Sequence, residues 1–377
     1  MTASNHRLHG WDSAQIARHR PRLDAADVAT LLARFRPLRG EVRLLWHSPR
    51  PFSAVARVAT PAGEVFVKRQ HAGVRTPGAL REEHALLAHL HAHGLPVPQV
   101  LADDAGETAI AMGHWVYEVH APAPGLDLYR DTPSWTPLVR VGQARSAGRM
   151  LARLHAATAD FAAGSRSATR LVARDDALRA PDLSAAIEAQ QAWRPGLAAY
   201  LAGRDWHREL APVAARHRTL QPRLAALPRR WTHGDWHVSN LCWTDTGDEA
   251  AVAAVLDFGL CAPTFALYDL ATAIERNAIA WLQLDRGMQA VFPDTARALV
   301  AGYAEVLPLS AAERELLADL LPLVHLDFAL SEIDHYQGMF GARDQADQAW
   351  EGFLLGHAAW FGTAPGQALL AALRMPV

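Results

Sequence analysis

At 377 residues the chain is long enough to form two lobes around a cleft. Half its residues are hydrophobic and a fifth are charged, which describes an ordinary globular protein and excludes a disordered or fibrous one. A formal net charge of −2 supplies neither a basic field for nucleic acid nor a polybasic membrane patch, so neither partner is expected.

The opening stretch MTASNHRLHGWDS lacks the apolar centre of a signal peptide, and no run approaches the roughly 18 apolar residues of a membrane span. A cytoplasmic location is expected, with Cys242 and Cys261 as reduced, buried thiols. Asp24 is placed to cap a helix over 25–35. Strand-like alternation follows over 41–46, 52–59 and 64–69, the last two joined by Thr60-Pro61-Ala62-Gly63, so an antiparallel sheet begins here. The third strand carries Lys68, the single lysine among 37 basic residues. In a chain that otherwise uses arginine, it marks a place where a compact ammonium is needed, such as phosphate binding.

Thr76 as N-cap and Pro77 at N1 open a helix that Gly94 stops. Its apolar face is Leu80, Leu86, Leu87 and Leu90, with Glu83 on that side and Glu82 pointing elsewhere. His84, His89, His91 and His93 have no acidic partner nearby and read as a solvated face rather than a zinc site. Strands over 108–112 and 115–120 lead to the Pro/Gly-rich segment 121–125, a hinge that divides the chain into lobes 1–120 and 121–377. Beyond it the pattern is helical, over 143–161, within 165–226, from Tyr268 to about 284, and over 294–306, 311–335 and 343–373.

One hairpin interrupts those helices. Residues 231–240 read WTHGDWHVSN, and an apolar run over 250–256 ends in Asp257-Phe258-Gly259. Two carboxylates and one amide thus stand in apolar surroundings, the set that phosphoryl transfer requires: one acid to hold the attacking hydroxyl, and hard oxygens to fix a metal on the phosphates. His233-Gly234-Asp235 with His237 and Asn240, followed by Asp257-Phe258-Gly259, resembles the aminoglycoside phosphotransferase, choline kinase and homoserine kinase group of small-molecule kinases. Lys68, the LPVPQVL segment and the LARLH run ending at His155 carry the same resemblance over roughly residues 45–285.

The resemblance implies an α+β, protein-kinase-like two-lobe fold, with ATP and Mg²⁺ in the cleft and a small-molecule hydroxyl as acceptor. It implies Asp235 as the catalytic carboxylate that holds the acceptor hydroxyl and takes its proton, Asn240 and Asp257 as metal ligands, and Lys68 on the phosphates, held by Glu83 or alternatively Glu82. It places the adenine edge on the backbone of 118–121, including Glu118 and His120, and gives Asp269 the task of bracing the catalytic loop. The chain departs from the kinase pattern at 47–53, where the turn over the phosphates has no glycine; Ser53 and Arg50 are expected to supply side-chain contacts instead. Asp327, Glu332 and Asp334, with Ser331 and His335 beside them, suit a cationic amine acceptor or form a solvated face. Other acceptor classes left open are a hydroxy amino acid such as homoserine, a sugar, or protein Ser/Thr as in bacterial stress-response kinases. From another class, the chain would be a catalytically silent nucleotide-binding module. Walker, Rossmann and serine-hydrolase motifs are absent.

Overall fold

Residues Thr60 and Gly63 pair directly across a two-residue turn, Thr60 donating its hydroxyl to the Gly63 carbonyl at 2.7 Å, and Gly63 takes the φ of 122° that a side chain would resist. This turn starts the sheet of the computed structural model, which describes residues 21–48, 52–130, 132, 135–162 and 164–376. Strands β1 (Arg43–His47), β2 (Ala54–Thr60), β3 (Gly63–His71), β4 (Ile110–Met112) and β5 (Trp115–His120) form an antiparallel sheet ordered β1-β2-β3-β5-β4. The five strands and the turn stand where expected, with strand ends shifted by one or two residues.

Helix α1 (Ala25–Leu32) starts at Asp24, whose carboxylate accepts from the Asp27 N–H at 2.7 Å. Its Val28, Leu31 and Leu32 cover one sheet face through Ala56, Val58, Val65, Val67 and Val119. Because side chains alternate along a strand, Lys68 and Glu118, which pair across β3 and β5, face the opposite side. On that side Leu80 of α2 (Pro77–Ala92) meets Val116. The rest of the α2 leucine face, Leu86, Leu87 and Leu90, belongs to the core of the helical lobe.

In that lobe α3 (Val141–Ala157) packs on a later helix at two glycines, Gly148 and Gly302, where a Cβ would overlap the carbonyls of Leu299 and Arg145 respectively. Two short hairpins carry the motifs: β6 (Arg230–Thr232) pairs with β9 (Ala262–Thr264), and β7 (Leu241–Trp243) with β8 (Val252–Val255). Helix α4 (Ala266–Asn277) stops seven residues short of the expected 284, because Asn277 turns its amide back onto the Ala273 carbonyl and competes with the helical ladder. It is followed by α5 (Pro293–Ala304). The helix expected over 311–335 is broken at Leu321–Leu323 by Pro322, and α6 (Leu326–Phe340) follows. The last expected helix is four pieces, one of them a wide-turned π segment, Gln348–Gly356. Among the described residues no helix is long and apolar enough to cross a membrane, and both cysteines are buried free thiols.

Candidate active site

The catalytic loop between β6 and β7 is held from beneath by one acid. Asp269, fully buried in the first turn of α4, accepts from the N–H groups of His233 (2.7 Å) and Gly234 (2.8 Å) and from His155 Nε2 (3.0 Å). Burial pushes the His155 pKa down, and its other nitrogen meets the Tyr303 hydroxyl at 2.8 Å. Gly234 has a φ of 78°, and a Cβ there would come within 2.7 Å of the Leu260 carbonyl, so only glycine lets the loop lie this close. Asn277 props the far half, donating to the Trp236 carbonyl (2.9 Å) and accepting from the Val238 N–H (2.9 Å).

Asp235 and Asn240 meet above that support: the Asn240 amide donates to the Asp235 carbonyl (2.9 Å) and carboxylate (3.1 Å), which leaves its amide oxygen for a cation. Burial favours the neutral form of Asp235, but His237 at 3.5 Å and Arg276 at 3.3 Å outweigh it, and the carboxyl is held well below the usual carboxylate range. Arg276 is an unforeseen member of the site. Its guanidinium lies over the rings of Trp135 (5.0 Å) and Phe328 (5.3 Å). A signal was present, since 276 follows 269 by two helical turns and shares its face.

Lys68 reaches Asp257 at 2.8 Å and Glu118 at 3.7 Å. Burial disfavours its charge, and Asp257, then Glu118 and Glu83, more than restore it, raising its pKa. Asp257 sits at φ 53°, ψ 77°, accepts from the Gly259 N–H at 3.3 Å, and is held below its ordinary pKa by Lys68 against the pull of burial. A Cβ on Gly259 would sit 3.2 Å from the Asp257 carboxylate, filling the space beside it. Asp257 and the Asn240 amide supply hard oxygens, the donor chemistry a Mg²⁺ ion takes.

Glu83, the partner expected for Lys68, acts on it electrostatically but has a direct partner of its own. Glu83 is buried against Arg166 at 3.4 Å, and Glu82 accepts from the Ser167 N–H at 2.9 Å. Arg166, with Arg75, also donates to the Gly259 carbonyl. The acid beside Lys68 is Glu118 on β5, whose second oxygen accepts from His84 (2.9 Å) and His120 (2.8 Å). Burial raises the Glu118 pKa, but His120 and Lys68 override it and hold it well below its usual range. Thus Glu118 and His120 join the cluster through side chains, while two backbone groups of the stretch expected for adenine are already engaged, Ala121 N–H to Gln99 and Val119 carbonyl to Leu101.

Other expectations also shift. Arg50 lies outside the described residues; Ser53 is half-buried in the bend entering β2, while the neighbouring Phe52 ring reaches α6 at His335 (5.9 Å) and Tyr336 (6.4 Å). The acids of α6 are not a solvated face: Asp327 pairs with Arg194 (3.3 Å), and Asp334 with Arg170 (2.7 Å) and the Gly196 N–H (2.8 Å), so neither is available to an acceptor. Glu332, fully buried, acts on Arg276. His84 is buried rather than solvated, and His89 and His93 do find an acid, Asp160, at 3.3 and 3.6 Å.

The model of the phosphotransferase enzyme family matches residues 41–316, which include Lys68, Glu118, Asp235, Asn240, Asp257, Asp269 and Arg276 but not the acids of α6. The chain belongs to that family. This phosphotransferase is a kinase that acts on a hydroxyl. It is 28% identical over 254 residues to a homoserine kinase of Xanthobacter autotrophicus, covering 66% of this chain and 67% of that one. A homoserine kinase of Methylobacterium radiotolerans is 31% identical over 265 residues, with the same coverage. Among solved structures, a microcompartment-associated aminopropanol kinase superposes with a TM-score of 0.55 at 17% identity, over 92% of this chain and all of that one. An amicoumacin kinase gives 0.57 at 15%, over 90% and 93%. These two establish the two-lobe α+β kinase fold.

Proposed function

We propose that the phosphotransferase takes ATP with Mg²⁺ and passes the γ-phosphoryl group to the hydroxyl of a small, amine-bearing molecule. The supporting observation is convergence: Lys68, 189 residues upstream of Asp257, lies 2.8 Å from it, and Asp257 is within electrostatic reach of the Asp235–Asn240 pair. In this reading Asp235 orients the acceptor hydroxyl and takes its proton as the new P–O bond forms and the bond to the departing nucleoside diphosphate breaks. Asn240 and Asp257 hold the ion, which when bound neutralises phosphate charge; Lys68 holds the phosphates. Asp235, already ionised, is ready as the base.

Around Asp235 both signs are present, with Glu275 and Glu332 acting on Arg276. A second reading, a hydroxy amino acid acceptor, is favoured by Arg276 beside the base and by the homoserine kinases among the relatives. An ATP-consumption screen over amino alcohols, hydroxy amino acids, aminoglycosides and sugars tests both. Asp235→Asn is expected to lower kcat by about 10²–10⁴ with ATP binding retained. Near-normal turnover in that variant, or stimulation by sugars alone, overturns the reading.

A further inference from the structure

The geometry points to a second metal centre, separate from the Asn240–Asp257 pair, in which Glu275, His325 and His357 bind one divalent transition ion of the zinc type. These residues come from three elements: the last turn of α4, the residue preceding α6, and the start of the helix His357–Trp360. One donor atom from each, a Glu275 carboxylate oxygen and a ring nitrogen of each histidine, lies within 4.8 Å of the other two. The Glu275 oxygen and His357 Nδ1 stand 3.3 Å apart. Two ligands each about 2.05 Å from a tetrahedral ion are separated by about 3.3–3.4 Å, so this edge is already at coordination length.

Independent of those distances, the tautomer of His325 is set for ligation. Its Nε2 donates to the Leu354 carbonyl at 3.0 Å, which leaves Nδ1 as a lone pair. His325 is only 4% exposed, and that Nδ1 has no hydrogen-bond partner among the described residues. A ring with one N–H tied to a backbone carbonyl and the other nitrogen left as a lone pair is the usual arrangement of a histidine that binds a metal. The other ligands are supported too. The second Glu275 oxygen is 3.4 Å from Arg276 Nε, and the His357 ring stacks on Trp281 with centroids 3.5 Å apart and planes 7° off parallel. The π segment immediately before His357 resets the helical phase there, a distortion that recurs at functional sites.

Two nitrogens and one carboxylate select a borderline ion such as Zn²⁺ over Mg²⁺, which prefers all-oxygen sets. Asp235, Glu275 and Glu332 all act on Arg276, so the guanidinium that a divalent cation would meet at this centre is already balanced by acids. Through Arg276, which touches both Glu275 and Asp235, the ion would bear on the site of transfer while staying outside it.

The test is a Co²⁺ titration of chelator-stripped protein in excess Mg²⁺, read by visible ligand-field absorption, with Zn²⁺ as competitor and metal content measured after gel filtration. One equivalent should bind with a spectrum typical of nitrogen ligation, and one equivalent of Zn²⁺ should erase it. His325→Ala and Glu275→Gln should each weaken binding roughly 10- to 100-fold. Asp257→Asn should leave the spectrum unchanged, which separates this centre from the catalytic pair. Circular dichroism in chelator identifies a variant that has lost its fold, and the conservative Glu275→Gln then carries the decision. Failure to saturate, or a spectrum that survives a folded Glu275→Gln, overturns the assignment.

Discussion

Lys68 lies 3.7 Å from its sheet neighbour Glu118, while the helix acid Glu83 acts on it only at longer range and pairs with Arg166, so the two glutamates separate in function. Glu118→Gln is expected to lower kcat/KM for ATP roughly 10-fold, about 1.4 kcal/mol, with a small change in melting temperature. Glu83→Gln removes the nearer and more buried of the two acids beside Arg166, leaving Glu82 at 3.9 Å, and is expected to cost about 3 kcal/mol of stability, with ATP kinetics near normal. Steady-state kinetics and thermal melts on both variants check this; a reversed pattern rejects it. Burial pushes the thiols of Cys242 and Cys261 up to about 12, so both should resist a disulfide reagent at pH 8 until the protein is unfolded. Rapid native labelling of either would contradict that. Asp235, Asn240, Asp257 and Lys68 were legible in the sequence because local spacing or composition marked them. Glu118 was read at the adenine edge, but its place beside Lys68, like that of Arg276 beside Asp235, was not legible, because both arise from a strand register and a helix face that only folding brings together.

Elements were legible where caps and turns are local. Asp24, Thr76, Pro77 and Gly63 stand where their backbone chemistry requires, and the strands follow within a residue or two. The late helices were not, because Pro322, the Asn277 back-bond and the π segment break periodicity that looks continuous in apolar spacing. At the crossing of α3 and α5 the axes approach until Gly148 and Gly302 face opposite carbonyls. Gly148→Ala should force these helices apart and destabilise by about 1–3 kcal/mol or more, seen as a lower urea midpoint at unchanged slope. Wild-type stability in that variant would mean the contact is looser than described.

The two lobes share more than a hinge. Leu86, Leu87 and Leu90 of α2 are buried in the core of the helical lobe, although their helix follows the sheet in sequence. A fragment ending at residue 120 should therefore expose this leucine face and fail to give a dispersed NMR spectrum, while the full chain does; a well-folded fragment would restore the boundary read from composition. Composition marked two lobes and a cleft, but not that α2 would be rooted in the larger one, since its apolar face alone does not say which partner buries it.

The grip of Arg75 and Arg166 on the Gly259 carbonyl has a pharmacological and regulatory consequence. Swinging the Asp257-Phe258-Gly259 segment outward would take one acceptor from each of two buried guanidinium groups and pull Phe258 from its packed pocket. These contacts thus weight the segment toward its inward position before any substrate or effector arrives. An inhibitor that depends on an outward-flipped aspartate would have to break those contacts first, which lowers its apparent affinity by the fraction of molecules in that position.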